Sequence, residues 1–381
     1  MRNPTSHWLL STMVAAGAAW LCLPANADDP ADRQDDTTRT CALTAQRMLK
    51  ACLFDVGADL QKTLGACMNL PEGQRAACAE EARATRAEEA ELCNESLDAR
   101  QDVCELLDEH RYRDPLAAQD TTFVDPDQIG AGGYAPNPYL SLVEGRTSVF
   151  RAGEDGAELV VVTITSETRT ILDVECRVAV DVSVEVSKDG SSVEYEPIEV
   201  TDDWYAQDSV GNVYYCGELS RNYEDGVLRD LDGSFEAGRD YAKGGYLVKA
   251  TPAVGTAHRQ EYSLGEAEDV VEYVDLNATP GAAEGGENTK FPCGGKCLKT
   301  LEHNPNEPAV TEFKYFLPKV GFVLATAMED DAFVEREELV CSGDSLEILD
   351  RAECGIEDSE ALLEQLCILA PETFCAEHAD D

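Results

Sequence analysis

The sequence predicts an α+β protein: a disulfide-stapled antiparallel helical hairpin, then a large antiparallel β domain, then a short cysteine-containing helical tail. Three observations predict it. Cysteines 41, 52, 67, 78, 93 and 104 are spaced as a palindrome. From Val174 to Val186, Val or Cys alternates with another residue without a break. Four more cysteines, at 341, 354, 367 and 375, surround a short helical pattern near the end.

Residues 1–27 read as a secretory signal. Arg2 gives the positive start, Trp8 to Leu23 is apolar, and Ala25-Asn26-Ala27 offers a cleavage site before Asp28. The apolar run is short for a membrane anchor. Cys22 hints at a lipoprotein site, but the preceding Ala19-Trp20-Leu21 is too bulky for one. Cleavage after Ala27 removes Cys22 and leaves 14 of the 15 cysteines, an even number. The expected location is exported, periplasmic or extracellular, where disulfides persist. Residues 28–38 are polar and acidic, the composition of a disordered segment.

The hairpin is expected over residues 39–113. Each helical residue turns about 100°, so steps of 11 and 15 return to nearly the same stripe. Cysteines 11 apart on one helix are about 16 Å apart, too far for a disulfide. They must reach a partner helix. The mirror-related pairs are Cys41–Cys104, Cys52–Cys93 and Cys67–Cys78, and their common midpoint lies between Glu72 and Gly73, inside the breaker Leu70-Pro71-Glu72-Gly73. Ala45, Met48, Val56, Leu60 and Leu64 continue the first stripe. Three tandem helical repeats starting at Cys41, Cys67 and Cys93 would give the same spacing.

Residues 114–146, with Pro115, Pro126, Pro136 and Pro138, read as a linker draped over the next domain. The β domain is expected over 147–338. Val174, Cys176, Val178, Val180, Val182, Val184 and Val186 form one side of a long strand with one face on a core and the other in water. Turn signals at Asp189-Gly190, Gly211-Asn212, Asp225-Gly226 and Asp232-Gly233 punctuate nine or more strands, enough for a curved sheet, open barrel or sandwich. Residues 339–381 read as a disulfide-stapled tail with a helix from about Ser359 to Leu369. The pairing of Cys341, Cys354, Cys367 and Cys375 is not deducible.

The chain carries 75 acidic against 30 basic residues, a formal charge of −45. That balance excludes nucleic acid as a partner and disfavours anionic membranes. It suits a solvated exported surface, or a basic protein partner. No calcium-loop spacing appears, and Asp230-Leu231-Asp232-Gly233 reads as a turn. No stretch after the signal is apolar enough to span a membrane. Neither HExxH, GxSxG nor a phosphate-loop motif occurs. His258 and Glu261, three apart in a strand, fall on opposite faces, which argues against a catalytic pair. No catalytic residue, metal ligand or cofactor is therefore expected. Trp204, Tyr205, Tyr214 and Tyr215 could line a ligand cavity, or serve as cross-strand core pairs.

Asp203-Trp-Tyr-Ala-Gln-Asp208, Gly211-Asn-Val-Tyr-Tyr215 and Arg259-Gln-Glu-Tyr262 resemble motifs of an uncharacterised family of secreted bacterial proteins. The family's usual second motif is GNVWYFGE; Tyr214, Tyr215 and Cys216 stand here for its Trp, Tyr and Phe. Cys297-Leu-Lys-Thr300 and Lys314-Tyr-Phe-Leu-Pro318 resemble its later signatures. The resemblance covers most of residues 38–328, often includes the cysteine-spaced helical front end, and implies no activity. Against that pattern, Cys176 and Cys297 sit where the family can carry cysteine, while Cys216 and Cys293 are additions. This implies the pairs Cys176–Cys297 and Cys216–Cys293. More loosely, the hairpin is similar to those of envelope proteins whose curved half-barrels cradle lipophilic molecules. The expected function is a non-enzymatic secreted or periplasmic binding or scaffold protein. The alternatives are a carrier of a lipid or other apolar ligand, and a hydrolase-like enzyme using carboxylates.

Overall fold

The computed structural model describes residues 40–108, 111–130, 132–153, 156–189, 192–281, 286, 289–329 and 332–375. The expected signal and the acidic stretch after it lie outside the described residues. The chain forms two compact units, one holding the helical hairpin and the other the sheet and tail.

The hairpin consists of α1 (Thr40–Met68) and α2 (Glu72–Leu106). Three disulfides cross between them: Cys41–Cys104, Cys52–Cys93 and Cys67–Cys78, with Cα atoms 5.8, 5.8 and 5.7 Å apart. Two helices can bury only one mutual stripe. Besides Cys41, Cys67 and Cys93, that stripe buries Ala45, Val56, Ala82 and Val103 fully, while Leu60 and Leu64 are half-buried. So thin a core needs its cross-links, each worth about 2–4 kcal/mol. The chain reverses at Asn69–Pro71, just before the centre of the palindrome. Pro71 immediately precedes α2, where its missing N–H leaves no helical bond unmade.

Fifteen strands follow among the described residues: β1 (Thr147–Ala152), β2 (Glu158–Ile171), β3 (Val174–Asp189), β4 (Ser192–Gln207), β5 (Val213–Glu224), β6 (Val227–Asp230), β7 (Phe235–Glu236), β8 (Lys243–Val248), β9 (Ala257–Arg259), β10 (Glu261–Tyr262), β11 (Val270–Ala278), β12 (Cys297–His303), β13 (Val310–Leu317), β14 (Gly321–Glu329) and β15 (Ala332–Gly343). They make one antiparallel sheet in the order β10-β8-β5-β4-β3-β2-β1-β15-β14-β13-β12-β11-β9, with β6 and β7 as side branches on β5. The two ends of this order, β10 and β9, are consecutive in the chain and separated only by Gln260. The sheet therefore curls round almost to closure, and its seam is one broken strand. Gly245 of β8 passes beneath that break: a Cβ there would lie 2.4 Å from the carbonyl oxygens of Arg259 and Gln260. Residues 257–262 are thus β9 and β10 with a kink between them. Asp230 to Gly233 is a turn, in which Asp232 N–H donates to the Asp230 carboxylate at 3.2 Å.

The valine face of β3 points outward. Val178, Val180, Val182 and Val184 join Val149, Leu159, Val161 and Trp204 in a core closed by the tail, through Ile348, Leu349, Leu362, Leu366 and Phe374. The tail contains α3 (Ser359–Leu369) and α4 (Pro371–Phe374). Asp358 caps α3, accepting from Ala361 N–H at 3.0 Å. Disulfides Cys341–Cys354 and Cys367–Cys375 tie it down. Cys341 belongs to β15, so the sheet runs past the expected boundary at 338.

The implied pairs Cys176–Cys297 and Cys216–Cys293 are not the ones formed. Cys176 pairs with Cys216, and Cys293 with Cys297. Cys176 and Cys216 face outward on the strands either side of β4. Cys216 is the extra residue of a bulge between the pairs Trp204–Gly217 and Tyr205–Tyr215, which brings its Cα to 6.7 Å from that of Cys176. Cys297 begins β12, on a different side of the barrel from β3. It pairs within the turn where Lys296 N–H donates to the Cys293 carbonyl at 3.0 Å.

Candidate functional site

Because valines cover the outside of β3, its other face lines the barrel interior. Alternation puts Ala179, Asp181 and Ser183 there. Cross-strand pairing carries the same face round the wall: Asp181 lies opposite Val162 and Thr201, Ala179 opposite Asp203, and Asp203 opposite Glu218. On the far side Lys314 lies opposite Thr300 and Ala325, Glu312 opposite Glu302, and Glu337 opposite Ala325.

One end of the interior is plugged. Val124, Ile129 and Leu142 of the segment before β1 pack on Ile164, Ala179, Val213, Val248, Tyr273 and Leu298. These last six come from β2, β3, β5, β8, β11 and β12, which only a closed sheet brings together. Asn137, 2% exposed, pins the plug. Its side chain donates to the carbonyls of Gly211 (2.7 Å) and Val248 (3.3 Å) and accepts from Tyr139 N–H (2.8 Å). Its own N–H donates to Gln207 Oε1 at 3.0 Å, and Gln207 Nε2 donates to the Ala135 carbonyl at 3.0 Å. Arg177, also buried, donates to Ser166 O (2.8 Å) and to Asp127 Oδ1 of the plug (2.7 Å).

Beyond the plug the lining turns acidic. Tyr215 Oη lies 2.5 Å from Asp203 Oδ1 and 2.8 Å from Glu218 Oε2. A phenol has one proton, so both contacts are hydrogen bonds only when one carboxyl is protonated and donates back. Burial raises Glu218 to about 8, helped by the Asp203 charge. Burial likewise raises Asp203 to about 7, against the hydrogen bonds from Tyr215 and Tyr205. The two titrate as a pair. Burial, then Asp203 and Glu337, lift Asp181 well above the carboxylate range. Burial, then Asp269 and Glu218, do the same to Glu261.

The opposite wall holds a cation. Lys314 Nζ lies 3.4 Å from Glu312 Oε2. Burial lowers Lys314, but Glu312, Glu302 and Asp269 outweigh it and hold the ammonium above the usual lysine range. Burial takes Glu302 and Glu337 up to about 7 and Asp269 to about 6, with Lys314 pulling each the other way. Glu302 Oε1 accepts from the Thr300 hydroxyl at 2.7 Å. Glu302 Oε2 and Asp269 Oδ1 are buried with no hydrogen-bond partner.

Lys314 and Glu312 keep 28% and 32% of their side-chain surface accessible, although both sit inside the wall. A barrel of about eight strands is just filled by its own side chains, and wider ones enclose space. Counting β9 and β10 as one, this wall has twelve strands. Beyond the plug, the inner face of this wall is lined by charged and polar side chains.

The four aromatics suggested as a cavity lining are divided between the two faces. Tyr205 and Tyr215 line the interior, with ring centroids 5.0 Å apart. Trp204 and Tyr214 belong to the outer core. Trp204 lies under the Arg169 guanidinium, 4.0 Å from the ring centroid, and borders an outer cleft of about 550 Å³ with Arg221, Leu369 and Pro371. Tyr214 donates to Asp208 Oδ2 at 3.0 Å. Asp208 also receives Val210 N–H at 3.0 Å and Asn212 N–H at 2.9 Å, which makes it the organiser of the β4–β5 turn. His258 is buried, and burial, then Lys249, lower it to about 3 against a hydrogen bond to the Tyr246 backbone. It is a neutral ring between Tyr246 and Tyr273.

Among the described residues, no helix is long and apolar enough to cross a membrane. All seven disulfides join described cysteines and fit an oxidising compartment. No family model matches the chain, and no curated protein does. Two solved structures are similar over part of it. One is a "putative lipoprotein" of Parabacteroides distasonis, 12% identical, covering 59% of this chain and all of its own, with a TM-score of 0.28. The other is a "putative exported protein" with a YmcC-like fold from Bacteroides fragilis, 14% identical, covering 55% of this chain and 98% of its own, with a TM-score of 0.23.

Proposed function

We propose that this chain is an exported, non-enzymatic binding protein and that the barrel interior is its binding space. One observation carries the reading: charged side chains inside the wall, Lys314 and Glu312, keep about a third of their surface accessible. A scaffold domain would fill that space with apolar side chains. Here Val178, Val180 and Val182 pack outward under the tail instead. Seven disulfides and the signal-like start with cleavage after Ala27 support export to the periplasm or the exterior. The meeting of Asp203, Tyr215 and Glu218 inside the barrel gives the DWYAQD and GNVYYCGE segments a shared role. We propose that the chain belongs with the secreted bacterial family those segments resemble.

The interior does not suit a lipid, since apolar groups would displace water from carboxylates without replacing its hydrogen bonds. The Asp203–Tyr215–Glu218 set favours a second reading, an enzyme using carboxylates, because groups titrating near 7 and 8 can exchange protons at neutral pH. Native mass spectrometry of the chain purified from its own source tests the first. A bound small molecule is expected, absent from Ser183→Trp, which fills the interior. A native chain that is empty would sink the binding reading.

A further inference from the structure

We infer that the interior takes a small elongated organic cation with several N–H donors, a diamine or polyamine, held by Glu302, Asp269 and the Asp203–Glu218 pair. This rests on the barrel interior being the binding space. Glu302 is 6% exposed, yet its Oε2 has no donor, and neither has Asp269 Oδ1. Buried acceptors without donors are rare and unfavourable. Both oxygens lie in the interior beside Lys314, so what each lacks is an N–H or O–H from something that enters.

Charge sets the sign of that group. Lys314 already faces three carboxylates, Glu312, Glu302 and Asp269. It leaves Asp203 and Glu218, across the interior, with phenol partners, Tyr215 to both and Tyr205 to Asp203. Among the described residues no Lys or Arg forms an ion pair with either carboxyl, and burial raises both. Distribution sets the shape. Asp203 is on β4, Glu218 on β5, Asp269 before β11 and Glu302 on β12. Among the described residues no three such groups converge on a point where a metal ion would sit. Charges spread along a wall match a cation whose charges are separated by a chain. Tyr205 and Tyr215 offer ring faces for the methylenes or ammonium groups between them.

Isothermal titration of the full exported chain with spermidine, at physiological ionic strength, tests this. One-to-one binding is expected, weakened at least tenfold in Glu302→Gln and in Asp269→Asn. The surface changes Glu224→Gln and Asp240→Asn should leave it unaltered. Melting temperatures of the two interior variants should equal or exceed that of the native chain, so lost binding would not reflect lost folding. Equal binding by native and interior variants would place spermidine on the acidic exterior and overturn the inference. So would calcium chloride binding at the same site more tightly than spermidine. If the fluorescent fatty acid cis-parinaric acid binds inside while spermidine does not, the cation assignment falls and the binding reading stands. If neither binds and the chain purifies empty, both fall.

Discussion

The Asp203–Tyr215–Glu218 set makes the β domain's stability depend on pH in a stated direction. An acid raised by folding keeps its proton longer in the folded chain than in the unfolded one. Stability is then full below the unfolded value, near 4, and declines as pH rises through the folded values, about 6 to 8 here. Glu218→Gln isolates the term, since the amide keeps the shape of the protonated acid and can donate to Tyr215. A rise from 4.5 to about 8 corresponds to roughly 5 kcal/mol for ionising Glu218 in place. Water entry and the shared titration with Asp203 reduce this, leaving an expected gain of about 1–3 kcal/mol at pH 8.5. For a unit of this size that raises Tm by about 2–10 °C. At pH 5 the gap should shrink to under about 1 kcal/mol, because the folded side chain is neutral and the unfolded one has only begun to ionise. The assay is calorimetric melting of the full chain from pH 5 to 8.5, following the β-domain transition, with Glu224→Gln as a surface control. Equal melting of native and Glu218→Gln chains at pH 8.5, or a native chain that gains stability from pH 5 to 8.5, would refute the reasoning.

Replacing Cys52 and Cys93 together by Ser should destabilise the hairpin by about 2–4 kcal/mol, read by helical circular dichroism on heating; an unchanged melt would mean the middle rung is slack. Asn137→Ala removes four side-chain hydrogen bonds of the plug and should destabilise the β domain by about 2–4 kcal/mol. Earlier proteolysis between residues 120 and 145 is its second readout. Gly245→Ala places a methyl group against the carbonyls of Arg259 and Gln260 at the seam. It should cost about 3 kcal/mol or more, and amide exchange should quicken at β8 and β10 before other strands. Trp204→Ala should cost about 3–5 kcal/mol and release the tail, so that trypsin cuts at Arg351 first.

The hairpin was legible because its periodicity is covalent: 11- and 15-residue steps leave few ways to join six cysteines on two rods. The strands were legible from alternation, but which face looks inward was not. Val174 to Val186 alternates identically whether valines or aspartate and serine meet the interior, and the choice lies with a tail nearly 200 residues later, at Leu349, Leu362 and Phe374. The interior carboxylates left a trace, since Glu312-Phe-Lys314, Glu335-Arg-Glu337 and Thr300-Leu-Glu302 are period-two polar patterns. With 75 acidic residues in the chain, such a pattern stands out only once the strands are known to form a wall. The four aromatics divided because neighbours on a strand point to opposite faces, so Trp204 and Tyr205 could never share a cavity. The pairing of Cys176 with Cys216 depends on a bulge, which no alternation pattern announces.

The wall is completed where β1 meets β15, with Thr147 opposite Gly343. In an exported chain emerging from its N-terminus, β1 waits for nearly two hundred residues before its second neighbour exists. The hairpin needs nothing beyond Leu106 and can lock its rungs during that wait. Closing so long a loop is slow, because chain entropy is lost before any contact rewards it. Until then β1 is a sheet edge and the outer valines of β3 lack their cover. The rate at which this wall closes should therefore govern how much of the protein matures, more than the stability of its finished barrel does.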